Sequence, residues 1–340
     1  MDGDALDIED ENQFRAYLDS NGFPAGDGVR LSVLNGGVSS RTVLVEWPGG
    51  LSWVFKQALP ALRVPVDWRS SPERAWREAD GARALASLLP PGAIPGITFE
   101  DKPRYIFAMT AASAAALNWK VLLLKGTVDP DHFRLCGELL GAVHRESATR
   151  RPALRDRFTD LTFFELLRLE PYYEYTAGTV RDAAAFLTAL AAEARTHKLS
   201  LVHGDFSPKN ILIEGSQIIL LDHEVIHFGD PAFDTGFLLA HFLSKAHHLV
   251  AHRGELMEGI LVFSSSYGDA IRSCEWAAAA QRRAVRHALG CLLGRAAGRS
   301  RLEYLTEFER QRQIEASLHL IQRPPGSVQE LSHEFLLEIA

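Results

Sequence analysis

The segment at residues 201–236 constrains the fold of this chain more than any other part; it reads LVHGDFSPKNILIEGSQIILLDHEVIHFGDPAFDTG. Two apolar runs that are rich in β-branched residues, at 211–213 and 218–221, flank a short turn that contains a glycine. This pattern predicts a tight β-hairpin. Folding the hairpin brings Asn210, at the start of one strand, beside Asp222, at the end of the other.

A third polar side chain, that of Asp205, lies in the loop just ahead of this hairpin. Two oxygen-bearing side chains that converge near a free carboxylate would form a site for a hard cation beside a base. Phosphoryl transfer from Mg·ATP requires this combination. Taken singly, an Asp or Asn before a strand is usually a turn former or a cap. The ordered set, with apolar strands between its members, favours the catalytic interpretation.

The spacing Asp-x4-Asn within the segment matches the catalytic loop of kinases. The pattern HGD-x4-N, then a second Asp, then GDPAFD, resembles the aminoglycoside phosphotransferase family, the small-molecule kinases with a protein-kinase-like fold. The resemblance covers roughly residues 30–245. It implies that Asp205 is the catalytic base, which accepts the proton of a substrate hydroxyl, and that Asn210 and Asp222 hold Mg²⁺. It also implies that Asp234 braces the catalytic loop, from a position that suits a helix N-cap.

Two further features of the segment concern the neighbours of these residues. His203 is expected to support the loop through hydrogen bonds rather than to titrate in catalysis. Asp222 is followed by His223 and Glu224, where protein kinases have Phe and Gly. The chain therefore lacks the glycine hinge and the Phe that are associated with activation-loop switching, and we expect constitutive activity.

A phosphate-covering loop is predicted at Gly36, Gly37, Ser39 and Ser40. Glycines let the backbone approach an anion closely, and N–H groups in a tight turn can point together at it. The two serines add hydroxyl donors. Alone, this segment would be an ordinary hairpin turn, since it is not the GxGxxG of protein kinases. Its position one strand pair before Lys56 favours the phosphate-binding interpretation.

Lys56 lies in a predicted strand between apolar neighbours, and its place in the chain fits the lysine that contacts the α- and β-phosphates of a nucleotide. A strand lysine is more often simply exposed. A phosphate-binding lysine needs a carboxylate to hold it, commonly from the following helix, and Glu78 is the predicted partner because the tripeptide Arg-Glu-Ala resembles the family's pattern. Glu73 is the alternative, although its position suits an acid favoured by the helix dipole.

The first part of the chain is predicted to form a small lobe rich in strands, residues 1–110. Helices are expected at Glu11–Ser20 and Pro72–Leu89. Strand signals lie at Leu31–Leu34, Thr42–Trp47, Leu51–Gln57, Ile97–Glu100 and Tyr105–Met109. The stretch Tyr105–Ala111 is expected to cross to the next lobe as the hinge that binds adenine, with Met109 and Ala111 at the nucleotide site.

Beyond Thr110 the composition shifts, and the small residues Ala111–Ala116 suit a linker between lobes. Apolar residues at helical intervals then predict the helices Asp131–Arg145, Thr162–Leu169, Val180–His197, Thr235–His248, Leu256–Tyr267, Cys274–Arg295 and Arg301–Leu320. The expected fold is therefore α+β and two-lobed, like a protein kinase. An N-terminal antiparallel sheet with one main helix precedes a larger, mainly helical lobe, residues 111–340, that binds the substrate.

Composition excludes several other classes of protein. The net charge of −7 argues against a nucleic-acid partner, because phosphate binding needs a basic face. No apolar stretch reaches the length of a membrane span, and the acidic start MDGDALDIEDENQF is unlike a signal sequence; we expect a cytoplasmic protein with no membrane partner. The cysteines Cys136, Cys274 and Cys291 are widely spaced, as expected for buried thiols. The histidines after residue 200 lack the HExxH pattern of a zinc site.

These features predict a kinase that uses ATP and Mg²⁺ to phosphorylate a hydroxyl group of a small molecule. The resemblance implies an aminoglycoside, a sugar, methylthioribose or an amino alcohol as acceptor, without choosing among them. The alternative is a non-catalytic, nucleotide-binding pseudokinase that acts as a scaffold. Such a scaffold has no physical need of Asp205, Asn210, Asp222 and Lys56 together. A protein kinase is disfavoured, because the GxGxxG, HRD, DFG and APE signatures are absent. The oligomeric state is not predicted.

Overall fold

The computed structural model describes residues 6–34, 37–64 and 67–339. Its first layer is a five-stranded antiparallel sheet formed by β1 (Arg30–Val33), β2 (Ser40–Glu46), β3 (Ser52–Ala58), β4 (Ile97–Asp101) and β5 (Ile106–Thr110). The strand order is β1-β2-β3-β5-β4, so β3 lies at the centre. This central position places Lys56 between Thr42 of β2 and Phe107 of β5.

Helix α1 (Glu11–Ser20) packs against this sheet. Its first turn is capped by Asp10, whose side chain accepts the N–H of Gln13. The buried ring of Phe14 meets Phe55 of β3 edge-on, with 5.3 Å between the ring centroids. Apolar burial between α1 and the sheet therefore forms a core for the N-terminal lobe that is separate from that of the helical lobe.

Helix α2 (Arg74–Ala86) connects β3 to β4 and lies against the second lobe. Its buried residues are mostly small, and they include Ala75 and Ala79. Gly81 allows the closest approach, because a Cβ atom at this position would lie 2.6 Å from Cγ2 of Ile226. The helix therefore lies directly on the segment that follows Asp222, and this contact positions its other side chains toward the hairpin.

The second lobe begins after the linker, and its strands form two small sheets. One contains β6 (Leu117–Asn118), β8 (Ile211–Glu214) and β9 (Gln217–Leu220); the other pairs β7 (Ser200–Val202) with β10 (His227–Gly229). The strand β7 leads directly into the loop at 203–210, which is the predicted catalytic loop. The predicted hairpin at 211–221 is therefore present, as the antiparallel pair β8–β9.

Helices make up the rest of this lobe. They are α3 (Trp119–Leu124), α4 (Pro130–Thr149), α5 (Arg151–Arg157), α6 (Thr162–Phe164), α7 (Tyr175–Thr179), α8 (Ala184–Thr196), α9 (Ala232–His248), α10 (Arg253–Ile271), α11 (Ala277–Ala297), α12 (Glu307–Gln322) and α13 (Val328–Ile339). A π-helical segment, Glu165–Glu174, joins α6 to α7 and contains Pro171. Nearly every residue of α9 is buried, so this helix forms the centre of the lobe. Among the described residues, no helix is long and apolar enough to cross a membrane.

The predicted α+β, two-lobed fold is confirmed, while some local expectations are wrong. The helix expected at Thr162–Leu169 continues through the π-helical segment to Thr179. The helix expected to begin at Thr235 begins at Ala232, so Asp234 lies in its first turn and is not its N-cap. The short helices α3 and α5 are additional. The boundary between lobes near residue 110 stays a prediction.

Candidate active site

The hairpin β8–β9 brings two of the predicted site residues together. Its register pairs Ile211 with Leu220, and the N–H of Leu221 then donates to the carbonyl oxygen of Asn210 at 2.9 Å. Asn210 and Asp222 therefore lie at the same end of the hairpin. Asp222 has a φ of 68°, in the left-handed region that residues other than glycine rarely adopt. The chain turns sharply here, and the carboxylate points back toward the first lobe, where it meets Lys56.

Asp205 is only 2% exposed, and it is not the free carboxylate that the sequence suggests. Its Oδ2 lies 2.9 Å from Arg168 and 2.9 Å from Lys209, and Nδ2 of Asn210 donates to the same oxygen at 2.7 Å. Burial raises the pKa of Asp205, but the charges of Arg168 and Lys209 more than offset this effect and hold the pKa below its usual value. Asp205 is therefore ionised at neutral pH, and its Oδ1 remains available to an acceptor hydroxyl.

Arg168 has no sequence signal that points to it, because its partner lies far along the chain. It belongs to the π-helical segment and is 6% exposed. Besides its ion pair with Asp205, it donates from Nε to the carbonyl oxygen of Gly204 at 2.7 Å. One guanidinium thus holds both the backbone and the side chain of the catalytic loop. Lys209 could have been identified from the sequence, since it lies within the Asp-x4-Asn motif itself.

Asp234 also supports the backbone of the catalytic loop. Its two carboxylate oxygens accept the N–H groups of His203 at 2.6 Å and Gly204 at 2.8 Å. His203 accepts the N–H of Asp205 at Nδ1 and donates from Nε2 to the carbonyl oxygen of Leu221. Burial lowers the pKa of His203, so the ring is neutral in this arrangement. These contacts are those of a loop support, the role expected for both side chains.

Lys56 joins the two lobes at the site. Its Nζ lies 2.5 Å from Oε1 of Glu78 on α2 and 3.0 Å from Oδ1 of Asp222 at the end of the hairpin. Burial lowers the pKa of Lys56, but Asp222 and Glu78 outweigh it and hold the pKa well above its usual value. The alternative partner, Glu73, is exposed just before α2. The structure therefore pairs Lys56 with Glu78.

Three carboxylates converge beside this lysine. One oxygen from each of Glu78, Asp222 and Glu224 lies within 4.8 Å of the others. Burial raises the pKa of Glu78 to about 7. The charge of Lys56 lowers this pKa, while the neighbouring carboxylates of Asp222 and Glu224 raise it. Such crowded oxygen atoms suit a hard divalent cation. Glu78 and Glu224 are already paired with Lys56 and Arg74. Asn210 uses its Nδ2 toward Asp205, so its amide oxygen is the atom left to act as a ligand, and this oxygen and the Asp222 carboxylate are donors of the kind that fits Mg²⁺.

Arg74 was not among the predicted residues, yet it connects three parts of the site. It is fully buried. Its Nε lies 3.0 Å from Oε2 of Glu224, while Nη2 donates to the carbonyl oxygens of Ser39 and Leu59. The guanidinium thereby links the predicted phosphate loop to the segment that follows Asp222. No local pattern distinguishes this arginine from the others around α2.

The predicted phosphate loop is partly described. Gly36 lies outside the described residues. Gly37 is separated from the two serines by Val38, and Ser39 and Ser40 are each 6% exposed. The backbone of Ser39 is fixed from two sides, because its carbonyl oxygen accepts from Leu59 at 2.9 Å as well as from Arg74. The loop therefore adjoins β3 and Lys56, which is where a phosphate-binding loop is expected.

The two residues predicted to contact the nucleotide at the hinge, Met109 and Ala111, lie at the end of β5 and just after it. Met109 pairs with Val54 of β3 and is half-buried. Ala111 donates its N–H to the carbonyl oxygen of Ser52 at 3.0 Å, so this donor is engaged within the sheet. The contact of both residues with a nucleotide stays a prediction.

A family model described as "Phosphotransferase enzyme family" matches residues 30–257 of this chain. Two relatives of similar sequence are methylthioribose kinases, from Citrobacter koseri and Cronobacter sakazakii. Each is 26% identical to this chain; the first match spans 68% of this chain and 68% of the relative, and the second spans 65% of each.

Solved structures with the same fold are also kinases of small molecules. A choline/ethanolamine kinase family protein from Mesorhizobium loti aligns with a TM-score of 0.56 at 17% identity, over 96% of this chain and 98% of that protein. Amicoumacin kinase hAmiN, in complex with AMP-PNP, Ca²⁺ and Ami, aligns with a TM-score of 0.58 at 13% identity, over 89% and 91% of the two chains. At these identities the comparison shows the fold.

A double-mutant cycle tests whether Lys56 and Glu78 act as a unit. We expect Lys56→Met and Glu78→Gln each to lower kcat/KM for ATP. The double variant should be little worse than Lys56→Met alone, because residues that act as a unit are non-additive. Losses that multiply would show that the two residues act independently. Lys102→Met, on the surface of the same lobe, is the matched control.

A second cycle tests the role of Arg74 in positioning. Arg74→Met should destabilise the fold by about 3–5 kcal/mol, because it leaves the Glu224 carboxylate buried without its partner. The double variant Arg74→Met/Glu224→Leu should recover most of that loss in urea unfolding. Arg74→Lys should stay folded but raise the KM for ATP, since one ammonium cannot hold both Glu224 and the Ser39 carbonyl. An unchanged KM in the lysine variant would contradict the positioning role.

Proposed function

The chain belongs to the phosphotransferase enzyme family, and we propose that it transfers the γ-phosphate of ATP to a hydroxyl group of a small molecule, with Mg²⁺ bound at the phosphates. The observation that supports this most strongly is the position of Asp205. An ionised carboxylate is buried at one end of the hairpin, next to Asn210 and Asp222, with Lys56 on the opposite side of Asp222. The site thus combines a base, Asp205, with oxygen ligands for a metal ion and with a lysine, Lys56, that can bind phosphate. Phosphoryl transfer requires this combination.

Each residue has one task in this proposal. Lys56, held by Glu78, contacts the phosphates of ATP, and the loop at Ser39 and Ser40 covers them. Asp222 and the amide oxygen of Asn210 would hold Mg²⁺, which on binding neutralises charge on the phosphates and orients them.

Asp205 performs the remaining step. It accepts a hydrogen bond from the acceptor hydroxyl at Oδ1, directs the oxygen toward the γ-phosphorus and takes up the proton. In a loose transition state little base strength is needed, so a low pKa is compatible with this role, and positioning supplies most of the rate. Arg168 and Lys209 hold the carboxylate in place through Oδ2. A non-catalytic scaffold has no need of such a fixed, ionised carboxylate.

The proposal is tested directly by acceptor-dependent release of ADP. Purified protein is incubated with Mg·ATP and a panel of sugars, sugar acids, amino sugars and amino alcohols, and ADP is measured with a coupled assay. We expect at least one hydroxylated small molecule to raise ADP release well above the rate without acceptor. Tight binding of Mg·ATP with no phosphorylated acceptor across the panel would favour the scaffold instead.

Asp205→Asn should lower kcat by about 10²- to 10⁴-fold, the range typical of a lost general base. The amide has the same shape but cannot take up the proton. Affinity for Mg·ATP, measured by calorimetry, should stay close to that of the parent. Asp182→Asn, on the exposed surface, controls for the substitution itself. A variant that retains more than about a tenth of the parent's kcat would exclude Asp205 as the base.

Asp222→Asn and Asn210→Ala should each raise the Mg²⁺ concentration needed for half-maximal activity, because each removes an oxygen ligand or weakens its charge. The measurement is a magnesium titration at saturating ATP. The exposed variant Asp182→Asn should titrate like the parent. Curves for Asp222→Asn and Asn210→Ala that coincide with the parent would remove these residues from the metal site.

A further inference from the structure

The part of the site that faces the helical lobe is unusually rich in cations. Arg168 and Lys209 flank Asp205, each at 2.9 Å. The guanidinium of Arg168 lies 6.0 Å from the ring centroid of Tyr172, and that of Arg295, from α11, lies 5.5 Å from the same ring. Tyr172 thus contacts both Arg168, the ion-pair partner of Asp205, and Arg295. Arg295 forms no ion pair with a carboxylate among the described residues.

A buried lysine adds to this cluster from the central helix α9. Lys245 is 1% exposed, and its Nζ lies 5.2 Å from the ring centroid of Tyr304. Its only hydrogen-bond acceptor in the described chain is the carbonyl oxygen of His241, at 3.4 Å. No described carboxylate forms an ion pair with it. Burying an ammonium group without an anionic partner is costly, and burial, with the charge of Lys120, lowers the pKa of Lys245 to about 7. An anion beside Lys245 would stabilise its charged form.

Helix α3 brings another lysine to the same place. Asn118, the N-cap of α3, donates to the carbonyl oxygen of Lys209 at 2.7 Å, so the helix begins on the catalytic turn. Trp119 then packs edge-on against Phe242 of α9, at 5.3 Å between the ring centroids. Lys120 therefore lies between the catalytic turn and α9, and it pairs with Glu303.

Electrostatic effects show that these cations share one region. Burial lowers the pKa of His241 well below its usual value, and Lys245, Arg295, Lys209 and Lys120 all lower it further. We call Lys120, Arg168, Lys209, Lys245 and Arg295 the basic cluster. Among the described residues, the carboxylates paired with it are those of Asp205 and Glu303. The region is thus strongly positive in a chain whose net charge is −7.

Two further hydrogen-bond donors in this region have no partner. Nε of Arg295 and the hydroxyl of Tyr304 are both buried without a hydrogen bond to any described residue. Buried donors are normally satisfied by protein, water or ligand. Together with Lys245, they form a set of donors that is suited to an oxyanion, which accepts several charge-assisted hydrogen bonds.

We propose that the basic cluster binds an anionic group of the acceptor, so that the substrate is a hydroxylated small molecule carrying a carboxylate or a phosphate. This inference rests on the proposed function, and it narrows the acceptor class. The anion lies against Lys245, Arg295 and Tyr304, while the hydroxyl reaches Oδ1 of Asp205. An acceptor with an ammonium group in this position would be repelled by the same cations, which gives the site its selectivity.

The first test compares acceptors that share one ring and differ in charge. D-glucuronate and glucose 6-phosphate carry an oxyanion, D-glucose is neutral and D-glucosamine is cationic. We expect ADP release with at least one of the two anions, and a kcat/KM at least tenfold higher than with the neutral or cationic member. The two anions distinguish a carboxylate from a phosphate as the recognised group. Turnover of only the neutral or cationic sugars would overturn the inference and leave the phosphotransferase assignment intact.

Variants then locate the anion on the cluster. Lys245→Met should raise the KM for the anionic acceptor about tenfold or more, since it removes a charge-assisted contact. Lys120→Met should raise this KM less, because Lys120 already pairs with Glu303, and in both variants the KM for ATP should stay within about twofold of the parent. Lys125→Met, at the exposed end of α3, is the matched control and should change neither constant. An unchanged KM for the anion in Lys245→Met would contradict the proposal.

A binding measurement tests whether the basic cluster binds an anion even if none of these sugars is phosphorylated. Protein saturated with Mg·AMP-PNP is melted with increasing sulfate, at an ionic strength held constant with chloride. Sulfate should raise the melting temperature of the parent and of Lys125→Met by more than that of Lys245→Met, whose remaining response is the general stabilising effect of sulfate. Without sulfate, Lys245→Met should melt at or above the parent's temperature, because it removes an uncompensated buried charge. A lower melting temperature, or an equal response to sulfate, would identify a structural lysine and overturn the inference.

Discussion

The structure of the site depends on the need of buried charges for partners. Lys56 on β3, Glu78 on α2 and Asp222 at the end of the hairpin come from three separate elements, and their ion pairs hold in the interior only if those elements meet at one point. Removing one partner of a buried pair typically costs about 3–5 kcal/mol. The second pair, Arg74 with Glu224, repeats this constraint a few ångströms away and adds the backbone of Ser39 to it. These ion pairs therefore constrain how the sheet is placed against the helical lobe.

On the opposite side of the site, ion pairs and hydrogen bonds to buried charged groups also fix the catalytic loop. Asp205 is held by Arg168 and Lys209, and the loop backbone by Asp234. Such contacts add little net stability, since desolvation offsets most of the Coulombic gain. Their value is preorganisation, because a carboxylate that is already oriented costs nothing to reorganise at the moment of transfer. We therefore expect activity without a switch, as the absence of the Phe and Gly that follow the corresponding Asp in protein kinases also predicts.

Local patterns in the sequence predict much of this arrangement. The hairpin, the five strands of the first sheet and the convergence of Asn210 with Asp222 follow from short-range periodicity. The order of elements points to a carboxylate on the helix after Lys56, and the resemblance to the family's Arg-Glu-Ala pattern selects Glu78. Arg74 and Arg168 could not be predicted, because their partners lie far along the chain and many arginines are equivalent in a local pattern. The ion pair of Asp205 with Arg168 could not be predicted for the same reason, whereas Lys209 lies only four residues from Asp205 and could have been identified. The π-helical segment that carries Arg168 has the periodicity of an ordinary helix over its first residues, so its extension was not visible either.

The most direct test of whether charges from both lobes form one nucleotide site is hydrogen exchange. Exchange is followed by mass spectrometry with and without Mg·AMP-PNP. The account predicts that the nucleotide slows exchange in β3 (Ser52–Ala58) and in the catalytic loop at 203–210 together, because one set of phosphates contacts both. Helix α13 (Val328–Ile339), which lies far along the chain from the site residues, serves as the internal reference and should exchange unchanged. Protection in β3 without protection of the catalytic loop, or in neither, would contradict the account.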